Sequence, residues 1–132
     1  MATFPATRIG TILAVSDVAR SAAFYREHLG FTVEASYDDP PYTTLVRGGV
    51  RLSFAEQGHV SEDRPGITLA TPTDTAQQSV VLVIEVTDAR SAYEALAVEG
   101  ATFLAAPYAP PWGGLRFFVV DPDSYLVEIE QP

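Results

Sequence analysis

The sequence predicts an α+β protein built from two tandem βαβββ modules, forming a curved mixed sheet around a cleft. A strand followed by a capped helix occurs twice, and Asp88 of the second copy follows Asp17 of the first by 71 positions in a chain of 132 residues. An offset of about half the length indicates an internal duplication. Because each module is too small to cover its own sheet, the two modules are expected to pair around a shared cleft.

The first module is predicted to span residues 8–56. Asp17 is a helix N-cap residue because its carboxylate accepts hydrogen bonds from first-turn amides, and Gly30 suits the left-handed position after a helix. Apolar residues recur at helical spacing between them. The remaining segments are β-branched and aromatic runs bounded by Pro and Gly. The predicted elements are a strand over 8–15, a helix over 18–29, and strands over 32–37, 42–47 and 50–56.

Residues 57–78 are predicted to form a linker because Pro, Gly, Thr and Asp are frequent there. Such a long connection within a small domain usually has a function or bridges two units.

The second module is predicted to span residues 79–131. Its last two strands are joined by Asp121-Pro122-Asp123-Ser124, which is typical turn chemistry. After this turn, Tyr125, Val127 and Ile129 share one strand face, and Glu128 and Glu130 lie on the other. The predicted elements are a strand over 79–86, a helix over 89–99 capped by Asp88, a strand over 102–106, a Pro-rich loop over 107–114, and strands over 115–120 and 125–130.

The composition excludes several kinds of function. A net charge of −9 argues against nucleic acid, since phosphate binding needs a basic face. The chain has no cysteine, so disulfides, thiolate metal sites and cysteine nucleophiles are excluded. Neither a secretory signal nor an apolar run of about 20 residues is visible, so we expect no membrane association and a cytoplasmic location.

Two stretches carry a resemblance to a known family. The segment Val15 to Phe31, with its capped helix ending in Tyr-Arg-Glu-His-Leu-Gly-Phe, is similar to the opening strand and helix of the vicinal oxygen chelate superfamily. The C-terminal hairpin resembles that superfamily's closing motif, D-P-D-G-x-x-x-E, with Ser124 in place of the usual Gly. The superfamily comprises glyoxalases, extradiol dioxygenases, fosfomycin-resistance enzymes and bleomycin-resistance proteins. The sequence resembles the bleomycin-resistance-like branch most.

The resemblance assigns four metal-ligand positions, of which one carries a usable donor. Gly10 and Val81 have no donor atom, and the Ser53 hydroxyl is a poor ligand for transition metals. Only Glu128, at the motif's final position, retains a carboxylate. Because a catalytic divalent ion normally needs about three protein ligands, we expect no bound metal and no other cofactor. The two histidines, His28 at a helix end and His59 in the linker, are not placed as general bases with a visible partner.

A ligand-binding wall is predicted instead of a metal centre. Strand alternation and the resemblance give an apolar surface with a few carboxylates, one Arg and bordering aromatic rings, which suits a small hydrophobic or aromatic ligand. Glu85 and Glu128 are candidates to meet a cationic group. Structural alternatives stay open: Trp112 as an interface plug, Arg116 as the ion-pair partner of Glu128, and Glu85 as a solvent-facing edge residue. The predicted ligand-binding residues are Trp112, Arg116, Phe118, Glu128, Glu85, Tyr108, Tyr42 and Ser53, with no catalytic residue among them.

The leading interpretation is a metal-independent homodimer that binds and sequesters an antibiotic or another aromatic natural product. One alternative is an enzyme of the same fold, either a lyase, isomerase or dioxygenase with an atypical metal site or a metal-free relative using Glu128 or Glu85 as acid or base. Another is a dimer that serves as a partner-protein module and binds no ligand.

Overall fold

In a computed structural model, residues 2–132 are described, and within this range the chain forms seven strands and two helices. The predicted α+β class is confirmed. The chain divides into two compact units, the first ending at Ala70 and the second comprising Thr71–Pro132. The division falls within the segment 57–78 that the composition indicates as a linker.

The first unit is a four-stranded mixed sheet with one helix against it. The strand order is β1-β4-β3-β2, in which β1 is parallel to β4 and the other neighbours are antiparallel. Its elements are β1 (Gly10–Val15), α1 (Val18–His28), β2 (Thr32–Asp38), β3 (Pro41–Arg47) and β4 (Val50–Glu56).

The core of the first unit lies between α1 and the sheet. Tyr25 of α1 is fully buried, and its ring centroid lies 5.0 Å from that of Phe54 and 5.8 Å from that of Phe31. The helix begins where the Asp17 carboxylate accepts the backbone N–H of Arg20 at 3.0 Å. These contacts fix the helix on one face of the sheet, so the other face remains available.

The second unit is a three-stranded sheet with the order β5-β7-β6, again with one helix. β5 is parallel to β7, and β6 is antiparallel to β7. Its elements are β5 (Leu82–Glu85), α2 (Ala89–Val98), β6 (Leu115–Val120) and β7 (Leu126–Gln131).

An aromatic cluster forms the core of the second unit. The ring centroid of Phe103 lies 4.4 Å from that of Tyr93 on α2 and 5.7 Å from that of Phe117 on β6. Phe117, Val127 and Ile129 are buried on the same face of the sheet. As in the first unit, the helix covers one sheet face.

The predicted strand over 102–106 is wrong. Phe103 makes only an isolated bridge to Val119, and a second isolated bridge joins Tyr108 to Arg116. Between the two bridges lies Pro107, which has no backbone N–H to donate to a ladder. The pairing with β6 is therefore interrupted, and the ladder of this sheet has three strands.

The predicted strand over 79–86 is shorter than expected, because only Leu82–Glu85 joins the ladder. Upstream, the side-chain amide of Gln78 donates to the Ser124 carbonyl at 2.8 Å and accepts from the Leu126 N–H at 3.3 Å. A side chain thus supplies hydrogen bonds at the start of β7 where a longer β5 would have supplied backbone groups.

The turn between β6 and β7 follows the predicted chemistry. One carboxylate oxygen of Asp121 accepts the backbone N–H groups of Asp123 and Tyr125, each at 2.9 Å. Ser124 adopts a left-handed conformation with φ of 71°. These bonds set the register that places Glu128 opposite Phe118.

Across residues 2–132, no helix has the length and apolar character needed to cross a membrane.

Candidate functional site

The sheet of the second unit has an open face, on the side away from α2. Strand alternation places Phe117, Val127 and Ile129 toward the helix, and their sequence neighbours therefore point the other way. The open face is defined here by Val83 and Glu85 of β5, Glu128 and Glu130 of β7, and Arg116 and Phe118 of β6.

Strand register arranges the open face in two rows. In one row, Val83 lies beside Glu128, which lies opposite Phe118. In the other, Glu85 lies beside Glu130, and Glu130 lies opposite Arg116. Four of the sequence-predicted ligand-binding residues, Glu85, Arg116, Phe118 and Glu128, therefore share this surface.

Arg116 lies at the centre of an aromatic group at the edge of this face. Its guanidinium carbon is 5.8 Å from the Tyr108 ring centroid and 5.7 Å from the Trp112 ring centroid. Both distances are within the range of cation–π attraction. Tyr108 is held by two backbone hydrogen bonds to Arg116, at 2.8 and 3.0 Å. The structure therefore brings together Tyr108 and Trp112 of the predicted Pro-rich loop and Arg116 of the following strand.

Arg116 also forms an ion pair with Glu128. Its Nη1 lies 3.5 Å from Oε1 of Glu128, while the two side chains are 31% and 13% exposed. This distance is long for a charge-assisted hydrogen bond, which is usually 2.7–2.9 Å. The pairing that was considered as a structural alternative is thus present, but it is loose and engages one edge of the guanidinium.

Trp112 is held on a tight turn that requires glycine. The backbone of Gly114 has φ of +84°, and a Cβ at this position would collide with the backbone carbonyl oxygen of Gln131. The N–H of Gly113 donates to the Pro110 carbonyl at 3.0 Å. This close approach to the end of β7 projects Trp112 beside β6 with 75% of its surface exposed.

The other two predicted ligand-binding residues lie in the first unit. Ser53 is buried, and its hydroxyl is 2.8 Å from that of Thr44 on the neighbouring strand. Tyr42 lines a cavity of 390 Å³ together with Tyr37 and residues of the loop that follows β4. His59 of this loop lines the same cavity, whereas the His28 ring lies 5.3 Å from that of Phe24 at the end of α1.

Sequence reasoning missed most of this cavity. Tyr42 was among the predicted ligand-binding residues, but Asp39, Asp63 and Leu69 come from a turn and from the predicted linker. A signal was present in the unusual length of the linker, which often accompanies function. The sequence did not indicate which surface this segment would contact.

The space beside Gly10 is filled by another side chain. Gly10 is paired with Arg51 across the parallel strands β1 and β4. A Cβ built at Gly10 would lie 3.1 Å from Cβ, Cγ and Cδ of Arg51. Arg51 also contributes to lowering the pKa of Glu34, although the hydrogen bond from Arg8 is the larger cause.

The sequence profile of the Glyoxalase/Bleomycin resistance protein/Dioxygenase superfamily matches residues 8–129. The chain belongs to this superfamily. The match covers both predicted modules and confirms the family indicated by the α1 segment and the closing hairpin.

Several solved structures share the fold. A glyoxalase/bleomycin resistance protein/dioxygenase from Nocardioides aligns with a TM-score of 0.78 and 20% identity, covering 99% of this chain and 85% of that chain. A superfamily member from Sphaerobacter thermophilus aligns with a TM-score of 0.72 and 21% identity, covering 97% of this chain and 98% of that chain. TnmS3, an antibiotic binding protein from Streptomyces sp. CB03234, gives 0.71 and 19%, covering 99% of each chain. No curated protein matches the chain.

The residues present do not fit the divalent metal of the metalloenzymes in this superfamily. Gly10 and Val81 lack donor atoms, and the Ser53 hydroxyl is already bonded to Thr44. The aliphatic stem of Arg51 lies where a side chain at position 10 would project, and it carries a positive charge. Within residues 2–132, no group of three or more His, Asp or Glu side chains is arranged to hold a metal ion.

Proposed function

We propose that the protein binds and sequesters a small aromatic or hydrophobic molecule, such as an antibiotic or another natural product, without a metal ion. We further propose that the binding form is a homodimer, because proteins of the bleomycin-resistance-like branch, which the sequence resembles, are typically homodimers. The ligand-binding surface in this proposal is the open face of the second sheet with Tyr108 and Trp112 at its edge.

The observation that carries the proposal is the group formed by Arg116, Tyr108 and Trp112. The two rings are 52% and 75% exposed although each is a large apolar surface. Exposed aromatic rings held by a strand pairing and a glycine turn are suited to stack against a planar ligand at a small cost in conformational entropy. The guanidinium, which lies near both rings, supplies N–H donors for the oxygen atoms of the same ligand.

Charged residues on the open face give the surface a means of orienting a ligand. Glu85 is exposed, and Glu130 lies between it and Arg116 in the same row. A ligand that stacks on Trp112 and carries a cationic substituent would find these carboxylates on one side of Arg116. A fold shared with TnmS3, an antibiotic binding protein, supports a binding role for such a surface.

A thermal-shift screen against intercalating and glycopeptide antibiotics, run in the presence of a chelator, tests the proposal. We expect at least one aromatic drug to raise the melting temperature, because a ligand that binds only the folded state stabilises it by mass action. Trp112→Ala and Arg116→Gln should each raise the dissociation constant of that drug about tenfold or more, which corresponds to ~1.4 kcal/mol of binding free energy.

Matched control variants distinguish loss of the proposed binding surface from general effects of removing an exposed ring or charge. Phe4→Ala removes an aromatic ring that is 78% exposed, compared with 75% for Trp112, and Arg26→Gln neutralises an exposed Arg that pairs with Glu27 at 3.1 Å. Both controls should bind the drug as the parent protein does. A panel without a single binder, or a drug whose affinity is unchanged in both test variants, would contradict the proposal.

A further inference from the structure

The open sheet face of the first unit contains a hollow bordered by two tyrosines. Strand register places Tyr37 of β2 opposite Tyr42 of β3, Tyr42 opposite Ala55 of β4, and Ala55 beside Ala14 of β1. Across the sheet, the two tyrosine rings therefore lie next to Ala55 and Ala14, whose side chains are single methyl groups. The difference in side-chain size leaves space next to Tyr42.

The loop after β4 folds back and lines one side of this space. The N–H of Gln57 donates to the Val15 carbonyl, and the N–H of Gly58 donates to the Leu69 carbonyl, each at 2.9 Å. The second bond brings the two ends of the segment 58–69 together, as in a compact Ω-loop. Arg64 holds the loop internally by donating to the Ile67 carbonyl at 2.8 Å.

The cavity is open to solvent on one side and measures 390 Å³, which is within the usual range for small-molecule sites. Its apolar walls come from the sheet, from the β2–β3 turn and from the returning loop. The residues that supply this apolar surface are Ile12, Tyr37, Pro40, Pro41, Tyr42 and Leu69.

The charged groups of the cavity are predominantly acidic. Asp39, Glu56 and Asp63 line it, and the positive side chain among the lining residues is Arg64, which is engaged by loop carbonyls. The Ser61 hydroxyl donates a hydrogen bond to Asp63, and this bond is the largest cause of the lowered pKa of that carboxyl. An anionic ligand would be repelled from such a cavity, and a cationic one attracted.

We infer that this cavity binds an amphipathic organic cation, with an aromatic body against Tyr37 and Tyr42 and a positive charge toward Asp39 and Asp63. Aromatic faces attract cations in addition to offering apolar area, so the rings and the carboxylates favour the same class of ligand. The residues of this site all belong to the first unit, whereas the Arg116 surface belongs to the second unit.

Fluorescence titration with ethidium, a planar aromatic cation, tests the inference on the full-length protein. We expect saturable binding that Tyr42→Ala weakens about tenfold or more. Leu69→Trp should also abolish binding, because the larger side chain fills the cavity. Leu69 is a partly exposed loop residue, so the substitution should disturb the packing of the core little. The anionic dye 1-anilinonaphthalene-8-sulfonate should not bind in this cavity.

Charge variants in the same loop provide a matched comparison. Asp63→Asn and Asp39→Asn should each weaken ethidium binding several-fold, by roughly the loss of one nearby charge. Glu62→Gln removes the same charge from the residue next to Asp63, but Glu62 does not line the cavity, so this variant should bind as the parent does.

Three results would overturn the inference: no saturable ethidium binding, ethidium binding unchanged in both Tyr42→Ala and Leu69→Trp, or equal loss in Glu62→Gln and Asp63→Asn. Circular dichroism of each variant verifies that the fold is retained. Ethidium binding that falls in Tyr42→Ala and Leu69→Trp but not in the exposed-ring control Phe4→Ala assigns the dye to this cavity. The proposed antibiotic binding is tested by Trp112→Ala and Arg116→Gln, so the two failures are distinguishable.

Discussion

Ser124 occupies a backbone conformation that glycine adopts more easily. Its φ of 71° lies in the left-handed region, which costs a residue with a Cβ roughly 1–2 kcal/mol. The hydrogen bonds at this position use its backbone: its N–H donates to the Asp121 carbonyl at 3.1 Å, and its carbonyl accepts from Gln78 at 2.8 Å. A substitution that removes the Ser124 side chain should therefore relieve the backbone strain and keep the hydrogen bonds of the turn.

Ser124→Gly should raise the free energy of unfolding by about 0.5–1 kcal/mol, because the relieved strain exceeds the extra entropy of glycine in the unfolded chain. Urea denaturation followed by circular dichroism measures this change. Gly100→Ser is the reverse control. Gly100 has φ of +80° with open space around it, so the substitution should lower the free energy of unfolding by a similar amount. A destabilised Ser124→Gly protein would show that the hydroxyl has a structural role.

The two helices are capped in the same way at equivalent positions of the duplicated modules. Asp17 accepts the N–H of Arg20 at 3.0 Å, and Asp88 accepts the N–H of Ser91 at 2.9 Å. In each case an otherwise unpaired first-turn donor is satisfied, and the negative charge lies at the positive end of the helix dipole.

Asp17→Ala and Asp88→Ala should each reduce the free energy of unfolding by about 1 kcal/mol. Asp17→Asn and Asp88→Asn keep the side-chain acceptor and should retain most of the stability. Hydrogen exchange of the first-turn amides locates the effect: increased exchange is expected at Arg20 or Ser91 in the respective Ala variant. Equal losses for Ala and Asn would show that charge, rather than the hydrogen bond, stabilises these helix ends.

Elements whose signals are local were predicted from the sequence within a few residues. The caps at Asp17 and Asp88 and the Asp121 turn act through bonds to residues two to four positions away, so short patterns are sufficient. The segment 102–106 was predicted as a strand because its composition allows one, but strand formation depended on pairing that Pro107 interrupts.

The candidate sites were predicted in part for the same reason. The closing turn and strand alternation placed Glu128 on one face, and the family resemblance placed Arg116 and Phe118 there too; the strand register agrees with that arrangement. The cavity near Tyr42 depends on the hydrogen bond from Gly58 to Leu69 and on small residues paired across strands. Those are tertiary features that a pattern within one strand does not encode.

At the scale of the whole molecule, the chain keeps the superfamily fold, while the four positions that the resemblance assigns to metal ligands hold a single carboxylate. Position 10 is a glycine next to Arg51, position 53 is a bonded serine, position 81 is a valine, and Glu128 pairs with Arg116. The Arg116 guanidinium near the Glu128 carboxylate and the Arg51 side chain near Gly10 disfavour a divalent cation electrostatically, as well as by ligand count.

Calorimetric titration of the best drug from the antibiotic panel, with and without metal, tests the central claim most directly. The protein would be stripped with a chelator and titrated, then incubated with zinc, nickel, iron or manganese and titrated again, with elemental analysis of each sample. Metal-independent binding predicts dissociation constants that agree within about twofold and no stoichiometric metal after washing. A retained transition metal at one equivalent, or drug binding that occurs only in the metal-treated protein, would contradict it.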